Sequence, residues 1–422
     1  MRQRLAPHRR FALTRNARAP GYAIVLLALF TACTAGTTSK PESPTTPPSY
    51  LAAPAGLASL PNYVDTQGGS DAEQVYTAAE VTQLARRFNL IVARKATFTA
   101  TGWTPTMRKA NPDLTLLTYL NGAFSQVAEA PALPDSWFLL DSSGNRILHK
   151  VFGTSLMDIT NPEWKKYVAE KCVSFVARAA SDGCLLDDLG AGNLTASFSS
   201  DPIDPSTQLR YTTASWVAAT SSLASYVKAN VAGDVLVFSN GLNSGEAYFG
   251  PARTSRLALA TDGSEAEGFL RFDSTPIDKF RAEDLWKKDV EMLVDAARTN
   301  RVVLALTKVW VTSTPEQSAR WRRYAYSSFL LGTNGAHFFS FSDTEPGKGP
   351  GPDPIETMQL GRAKSAYMKI DGVYRRDFER GVVLVNPSTE SVTVELEKAM
   401  RTLDGQLVAS VTLGPHSGEI LT

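Results

Sequence analysis

From about residue 80 to residue 345, short apolar runs alternate with amphipathic helical stretches, and this alternation constrains the fold more than any other feature. The runs are Leu90–Ala93, Thr115–Leu120, Leu156–Ile159, Cys184–Leu186, Val235–Ser239, Leu257–Thr261, Val302–Leu306 and Ala336–Phe341. Runs that are apolar throughout, rather than at every second position, read as strands covered on both faces of a parallel sheet. The stretches between them carry helix signals. In "TNPEWKKYVAEKCVSFVARAA", Thr160 or Asn161 is the expected cap and Pro162 falls in the first turn. Eight such units predict an α/β fold, a closed (β/α)8 TIM barrel. A doubly wound open sheet is the competitor, but no G-x-G-x-x-G and no phosphate-binding loop follows any of the runs. Beyond residue 370 the pattern becomes short strands broken by Asn-Pro, Asp-Gly and Gly-Pro turns, which predicts a small C-terminal antiparallel β-sandwich domain.

Composition narrows the function. The 43 basic and 42 acidic residues leave a net charge of +1, which excludes a chain held to nucleic acid by bulk charge and argues against a strongly polyanionic ligand. Three cysteines make no disulfide framework. Four scattered histidines show no H-x-x-x-H spacing, so neither a metal nor a cofactor is expected. Cys172 and Cys184 are read as buried free thiols, although their spacing permits a bond.

The first 40 residues contain no acidic side chain, and several arginines precede the apolar run Tyr22–Phe30. A basic head, a short apolar middle and small residues after it form a secretory leader rather than a permanent span. "FTAC" at Cys33 resembles a bacterial lipoprotein box, which implies a lipidated Cys33; ordinary cleavage after Ala32 or Ala35 is the alternative. Residues 34–60 open with a Ser/Thr/Pro-rich tether. The expected organisation is a leader over 1–33, a tether over 34–60, a barrel over 61–370 and a β domain over 371–422. Localisation is expected to be extracytoplasmic, secreted or at a bacterial cell surface. Membrane contact would come only through the lipidated terminus, and no protein partner is evident.

Barrel chemistry sits where strands end. "DGCLLDDLG" places Asp187 and Asp188 after an apolar strand. If Leu185 faces inward, so does Asp187, while Cys184, Leu186 and Asp188 point towards the helices or the rim. The bland alternative is a helix cap. "TDGSEAEGF" supplies Asp262, Glu265 and Glu267 after another run. Crowded carboxylates raise at least one proton affinity, as a general acid requires, although a solvated acidic loop reads the same way. Asn121, Asp158 and Asn240 follow other strands, and Tyr119, Trp310 and its neighbour Lys308 lie at strand ends. Tyrosine and tryptophan faces stack on sugar C–H surfaces.

The combination "NPEWKKYVAE", "DGCLLDDLG", "SNGL", "DGSEAEGF" and "RDFERGVVLVNPS…VTLGPHSGEIL" resembles the hypothetical glycoside hydrolase family 15 type over residues 75–422. This type is related to α-galactosidase-like and polygalactosaminidase-like barrels with a β-sandwich tail. The resemblance implies a glycoside hydrolase of an α-linked glycan, with a nucleophile at Asp187 and an acid/base at Glu267 in preference to Glu265. Asp188, Asp262, Glu265, Trp310, Asn121, Tyr119, Asp158, Asn240 and Lys308 would line the substrate. A non-catalytic glycan-binding lipoprotein on a degenerate barrel is the alternative. A deacetylase-like hydrolase would need metal ligands that the sequence lacks.

Overall fold

The computed structural model describes residues 63–65, 76–99, 102–194, 197–343 and 353–422. The leader, Cys33 and the tether expected over 34–60 lie outside the described residues.

Eight parallel strands form one sheet in chain order: β1 (Tyr63–Asp65), β2 (Leu90–Ala93), β3 (Thr115–Asn121), β4 (Gly183–Asp187), β5 (Leu236–Asn240), β6 (Gly263–Ala266), β7 (Val302–Lys308) and β8 (Phe338–Ser342). The sheet curls until β8 lies beside β1. Helices α1 (Ala78–Arg87), α2 (Lys95–Thr99), α3 (Trp103–Ala110), α4 (Pro162–Ala179), α5 (Thr213–Asn230), α6 (Gly245–Phe249), α7 (Ser255–Ala260), α8 (Glu283–Arg298) and α9 (Pro315–Gly332) follow the strands. This is the (β/α)8 barrel, and the local signals that start its helices are used. Asn161 caps α4 through the Glu163 N–H, with Pro162 next, and Thr314 with Gln317 forms a capping box on α9.

Strand parity divides the core in two. Leu90, Val92, Leu117, Leu185, Leu236, Phe238, Leu304, Leu306 and Phe338 fill the lumen, with Tyr119 packed on them. The alternate residues, among them Leu186, Val237, Val303 and Phe339, pack against the helices. Cys184 belongs to this outward set and points at α4. There Trp164, Val168 and Cys172 recur every four residues on the buried face. Cys172 and Cys184 are therefore joined as a disulfide, 5.9 Å apart at Cα, rather than remaining free thiols.

Two expected strands are corrected. Of Leu257–Thr261, Leu257–Ala260 falls on helix α7 and Thr261 caps its end, because alternating Leu and Ala suit a helix as well as a strand. The strand is the next segment, "GSEA", whose small and polar residues are all buried, with the Ser264 and Ser239 hydroxyls bonded to each other at 2.5 Å. Near Leu156–Ile159 only Ser155–Leu156 is strand; it pairs antiparallel with Phe124–Ser125 in an arm beside the mouth and takes no part in the barrel. The missing first strand, "YVD", is too short to show a period.

After the barrel, β9 (Met368–Ile370), β10 (Val373–Phe378), β11 (Gly381–Asn386) and β14 (Ser417–Leu421) make an antiparallel sheet in the order β9-β10-β11-β14. β12 (Val392–Arg401) and β13 (Leu407–Leu413) form a hairpin. This sheet sits on α9: a Cβ on Gly418 would meet the Ser327 side chain at 2.5 Å. Arg376 reaches the C-terminal carbonyls of that helix, Leu330 at 2.8 Å and Leu331 at 2.9 Å, where a cation is favoured.

Candidate active site

The register of the sheet aligns polar side chains towards the C-terminal ends of the strands. Asn121 is level with Asp187, Asn240 with Glu265, and Ser342 with Lys308. Leu185 lies in the lumen, so Asp187, two residues on, also faces inward.

Three donors converge on Asp187. The Tyr119 hydroxyl donates to Oδ2 at 2.8 Å. Asn240 Nδ2 donates to Oδ1 at 2.6 Å, and the Asp188 backbone N–H to the same oxygen at 2.7 Å. Asp188 itself adopts φ 62°, a left-handed conformation that aspartate tolerates better than most residues. The turn swings its carboxylate onto the Asn121 amide. Asn121 is held in turn, its Oδ1 accepting the N–H groups of Ala123 at 3.1 Å and Phe124 at 2.7 Å. Asn121, Asn240 and Tyr119, expected on substrate, thus direct their polar groups at the two carboxylates.

Glu267 comes from two strands further round the mouth, one residue past β6. Its Oε1 lies 3.3 Å from Lys308 Nζ, and its carboxylate is about one-third exposed while Lys308 is buried. The ammonium also rests over the Trp310 ring, 4.7 Å from its centre. Trp310 is tied by its indole N–H to Ser342 Oγ at 2.8 Å. Glu265, on the same parity but two residues lower, is wholly buried within the barrel. Of the two glutamates, Glu267 is therefore the one that reaches the mouth.

Electrostatics couples these groups. Burial first, then the charges of Asp188 and Glu267, push the Asp187 carboxyl up to about 8, against the opposing hydrogen bonds from Tyr119 and the Asp188 N–H. Burial also pushes the Tyr119 hydroxyl well up, with Asp187 and Asp188 adding to it, so it stays a donor. Burial would lower Lys308, but Glu267, Asp273 and Glu265 outweigh it and raise the ammonium's affinity for its proton.

Two expected residues lie elsewhere. With β6 moved to Gly263–Ala266, Asp262 precedes the strand and stands at the opposite end of the barrel. There it pairs with Lys228 at 2.7 Å and accepts the Val237 N–H at 2.8 Å. Asp158 lies on the arm and closes the turn into α4, accepting the Thr160 N–H at 2.9 Å and the Thr160 hydroxyl at 2.6 Å. Sequence reading missed Arg94, whose guanidinium stands 5.8 Å from the Tyr119 ring centre. The parity of Leu90 and Val92 carries on to it. Among the described residues, no group of His, Cys, Asp and Glu is arranged to hold a metal ion.

A parallel barrel with paired acids from separate strands at its C-terminal rim is the arrangement of a glycoside hydrolase. Residues 108–382, well over half of the chain, match the family described as hypothetical glycosyl hydrolase family 15, and the chain belongs to it. No curated protein matches the chain. The fold is similar to that of a noncanonic maltogenic α-amylase from Thermotoga neapolitana, with 13% identity, a TM-score of 0.53, and 87% of this chain and 99% of that one covered. It is also similar to a type I pullulanase from Bacillus subtilis, with 10% identity, a TM-score of 0.51, and 90% and 72% covered.

Proposed function

We propose that this glycoside hydrolase cleaves an α-linked glycan with retention, Asp187 attacking the anomeric carbon and Glu267 serving as acid/base. The observation that carries the reading is placement: Asp187 ends β4 on the lumen side and Glu267 lies one residue past β6, two carboxyls from different strands at the same end of the barrel. Asp187 Oδ1 is engaged by two N–H donors and Oδ2 by the Tyr119 hydroxyl alone, so Oδ2 keeps the freer lone pair and is the attacking oxygen. In the first step the Asp187–sugar bond forms, the glycosidic bond breaks, and the Glu267 proton goes to the leaving oxygen. In the second step Glu267 takes a proton from water, the water oxygen bonds the anomeric carbon, and Asp187 leaves. Trp310, held by Ser342 and Lys308, offers a face for a sugar ring.

The exchange of roles is a second reading. Asp187 is pushed up to about 8, which suits an acid near neutrality, and Glu267 has an ammonium counter-charge beside it, which suits a nucleophile. An extracytoplasmic location, with a leader over 1–33, lipid on Cys33 and a tether over 34–60, is part of this reading, and the disulfide, a bond that persists in oxidising compartments, supports it. No helix among the described residues is long and apolar enough to cross a membrane. The barrel domain is taken as 61–370 and the β domain as 371–422.

The test begins with reducing-sugar release over a panel of α-glucans and galactosamine-containing polymers. Azide is then added to Asp187→Gly and Glu267→Gly. If Asp187 is the nucleophile, D187G yields a glycosyl azide of inverted configuration and E267G one of retained configuration. The opposite pattern assigns the exchanged roles, and full activity of either variant without azide removes that residue from the mechanism.

A further inference from the structure

We infer that Asp289, a buried residue of α8 out of reach of substrate, is a positioning residue for Glu267, acting through Arg281. The inference rests on the reading of Glu267 as the group that protonates the leaving oxygen.

Asp289 is fully buried on the outer helix. Its Oδ2 pairs with Arg281 Nη1 at 2.6 Å, and Arg281 Nη2 donates to the carbonyl of Gly268, the residue after Glu267, at 2.8 Å. The same Oδ2 accepts the Leu270 N–H at 3.3 Å. Leu270 has φ 65°, a strained value for leucine that persists only where its surroundings over-determine it. Asp289 Oδ1 accepts the Gly245 N–H at 2.7 Å, at the start of α6 in the loop after β5. One carboxylate therefore fastens the loops that follow β5 and β6. The loops are also fastened to each other, the Gly268 N–H donating to the Asn243 carbonyl at 2.8 Å.

The turn leaves no room to shift. A Cβ on Gly268 would meet the Phe272 ring at 2.4 Å and the Asn243 carbonyl at 2.8 Å. The Phe269 carbonyl is held by the Thr307 hydroxyl at 2.8 Å. Backbone fastened at Gly268, Phe269 and Leu270 sets the direction in which Glu267 leaves it. Catalytic groups lose rate steeply when displaced by about 1 Å, so a charge pair that never touches substrate governs the protonation step.

The experiment compares Arg281→Lys and Asp289→Asn with wild type on two aryl or alkyl α-glycosides of the sugar that the panel identifies. One has a dinitrophenyl leaving group, which departs without a proton, and the other a methyl group, which requires one. Arg281→Lys keeps the cation for Asp289 but loses the fork that reaches Gly268, and it keeps the test open if Asp289→Asn does not fold. Positioning predicts kcat/KM, which reports the first step, down by about ten- to a hundredfold on the methyl glycoside and within about twofold on the dinitrophenyl glycoside. On the latter, kcat and KM fall together, because the second step needs Glu267 as base. Equal losses of kcat/KM on both substrates, or no loss on either, overturn the inference. Glu267→Gln is the control: if it shows no dependence on leaving group, the role of Glu267 falls, and the inference with it. Selectivity in E267Q without selectivity in R281K overturns the positioning claim alone.

Discussion

Strands β4 and β6 carry acidic residues at both ends, and the two ends treat them differently. At the N-terminal end, Asp182 accepts the Leu116 N–H at 2.7 Å and pairs with Arg108 at 2.6 Å, while Asp262 accepts the Val237 N–H and pairs with Lys228. Each of these aspartates staples its strand to a neighbour and has its own cation. At the C-terminal end, Asp187, Asp188 and Glu267 crowd one mouth. Asp187 and Asp188 face neutral hydroxyl and amide donors, and the Lys308 ammonium is bonded to Glu267. The same residue type on the same strands thus builds stability at one end and stores electrostatic tension at the other, which is where barrel chemistry belongs.

The largest expected effect separates the ends most sharply. Asp187→Asn lowers kcat by at least about a thousandfold, read by sugar release. Its effect on stability runs the other way. The folded carboxyl titrates at about 8 and its ordinary value is 3.8, so the folded state binds the proton more tightly. The wild type therefore loses stability as the pH rises from about 4 towards 8. The variant does not titrate there and becomes the more stable of the two at the upper end. Urea unfolding at a series of pH values checks this; parallel curves for the two proteins would refute it.

At the other end the expectation is reversed. Asp262→Ala leaves Lys228 and the Val237 N–H without their acceptor and costs about 1–3 kcal/mol in denaturant unfolding. Its kcat at 25 °C stays within about twofold of wild type, because the residue stands a full strand away from the reacting atoms. A tenfold fall in kcat with the fold intact would erase the distinction between the ends.

This distinction also marks the limit of what the sequence reveals. Parity was legible: Leu185 inward implied Asp187 inward, and the runs at Leu90–Ala93 and Val302–Leu306 placed their strands. Asp262 and Glu267 read as one acidic cluster because only four residues separate them. In an extended strand each residue advances about 3.3 Å, so those four carry one acid to the foot of the barrel and the other to its mouth. The strand between them was hidden because its buried residues are small or polar and make their contacts only inside the closed barrel. The disulfide required two facts at once, the outward parity of Cys184 and the rotation of α4, and spacing alone supplies neither. Asp289 and Arg281 were illegible for the same reason, since their partners are backbone atoms of distant loops.

The smallest expected effect lies within the mouth and tests whether its tension is tuned. The Tyr119 hydroxyl bonds Asp187 Oδ2 and so favours the ionised carboxyl, opposing burial and the neighbouring charges. Tyr119→Phe removes that donor while keeping the ring that packs on Leu185 and its neighbours in the lumen. The carboxyl then rises further, and a nucleophile that must be ionised becomes available only at higher pH. The acidic limb of the kcat/KM profile moves upward, with a loss of about three- to tenfold at neutral pH that shrinks as the pH increases. If Asp187 were the proton donor instead, the same substitution would extend its protonated range, and the alkaline limb would move upward while the acidic limb stayed in place. A profile unmoved on both limbs would mean that the hydroxyl only fills space, and that burial and charge alone set the proton affinity of Asp187.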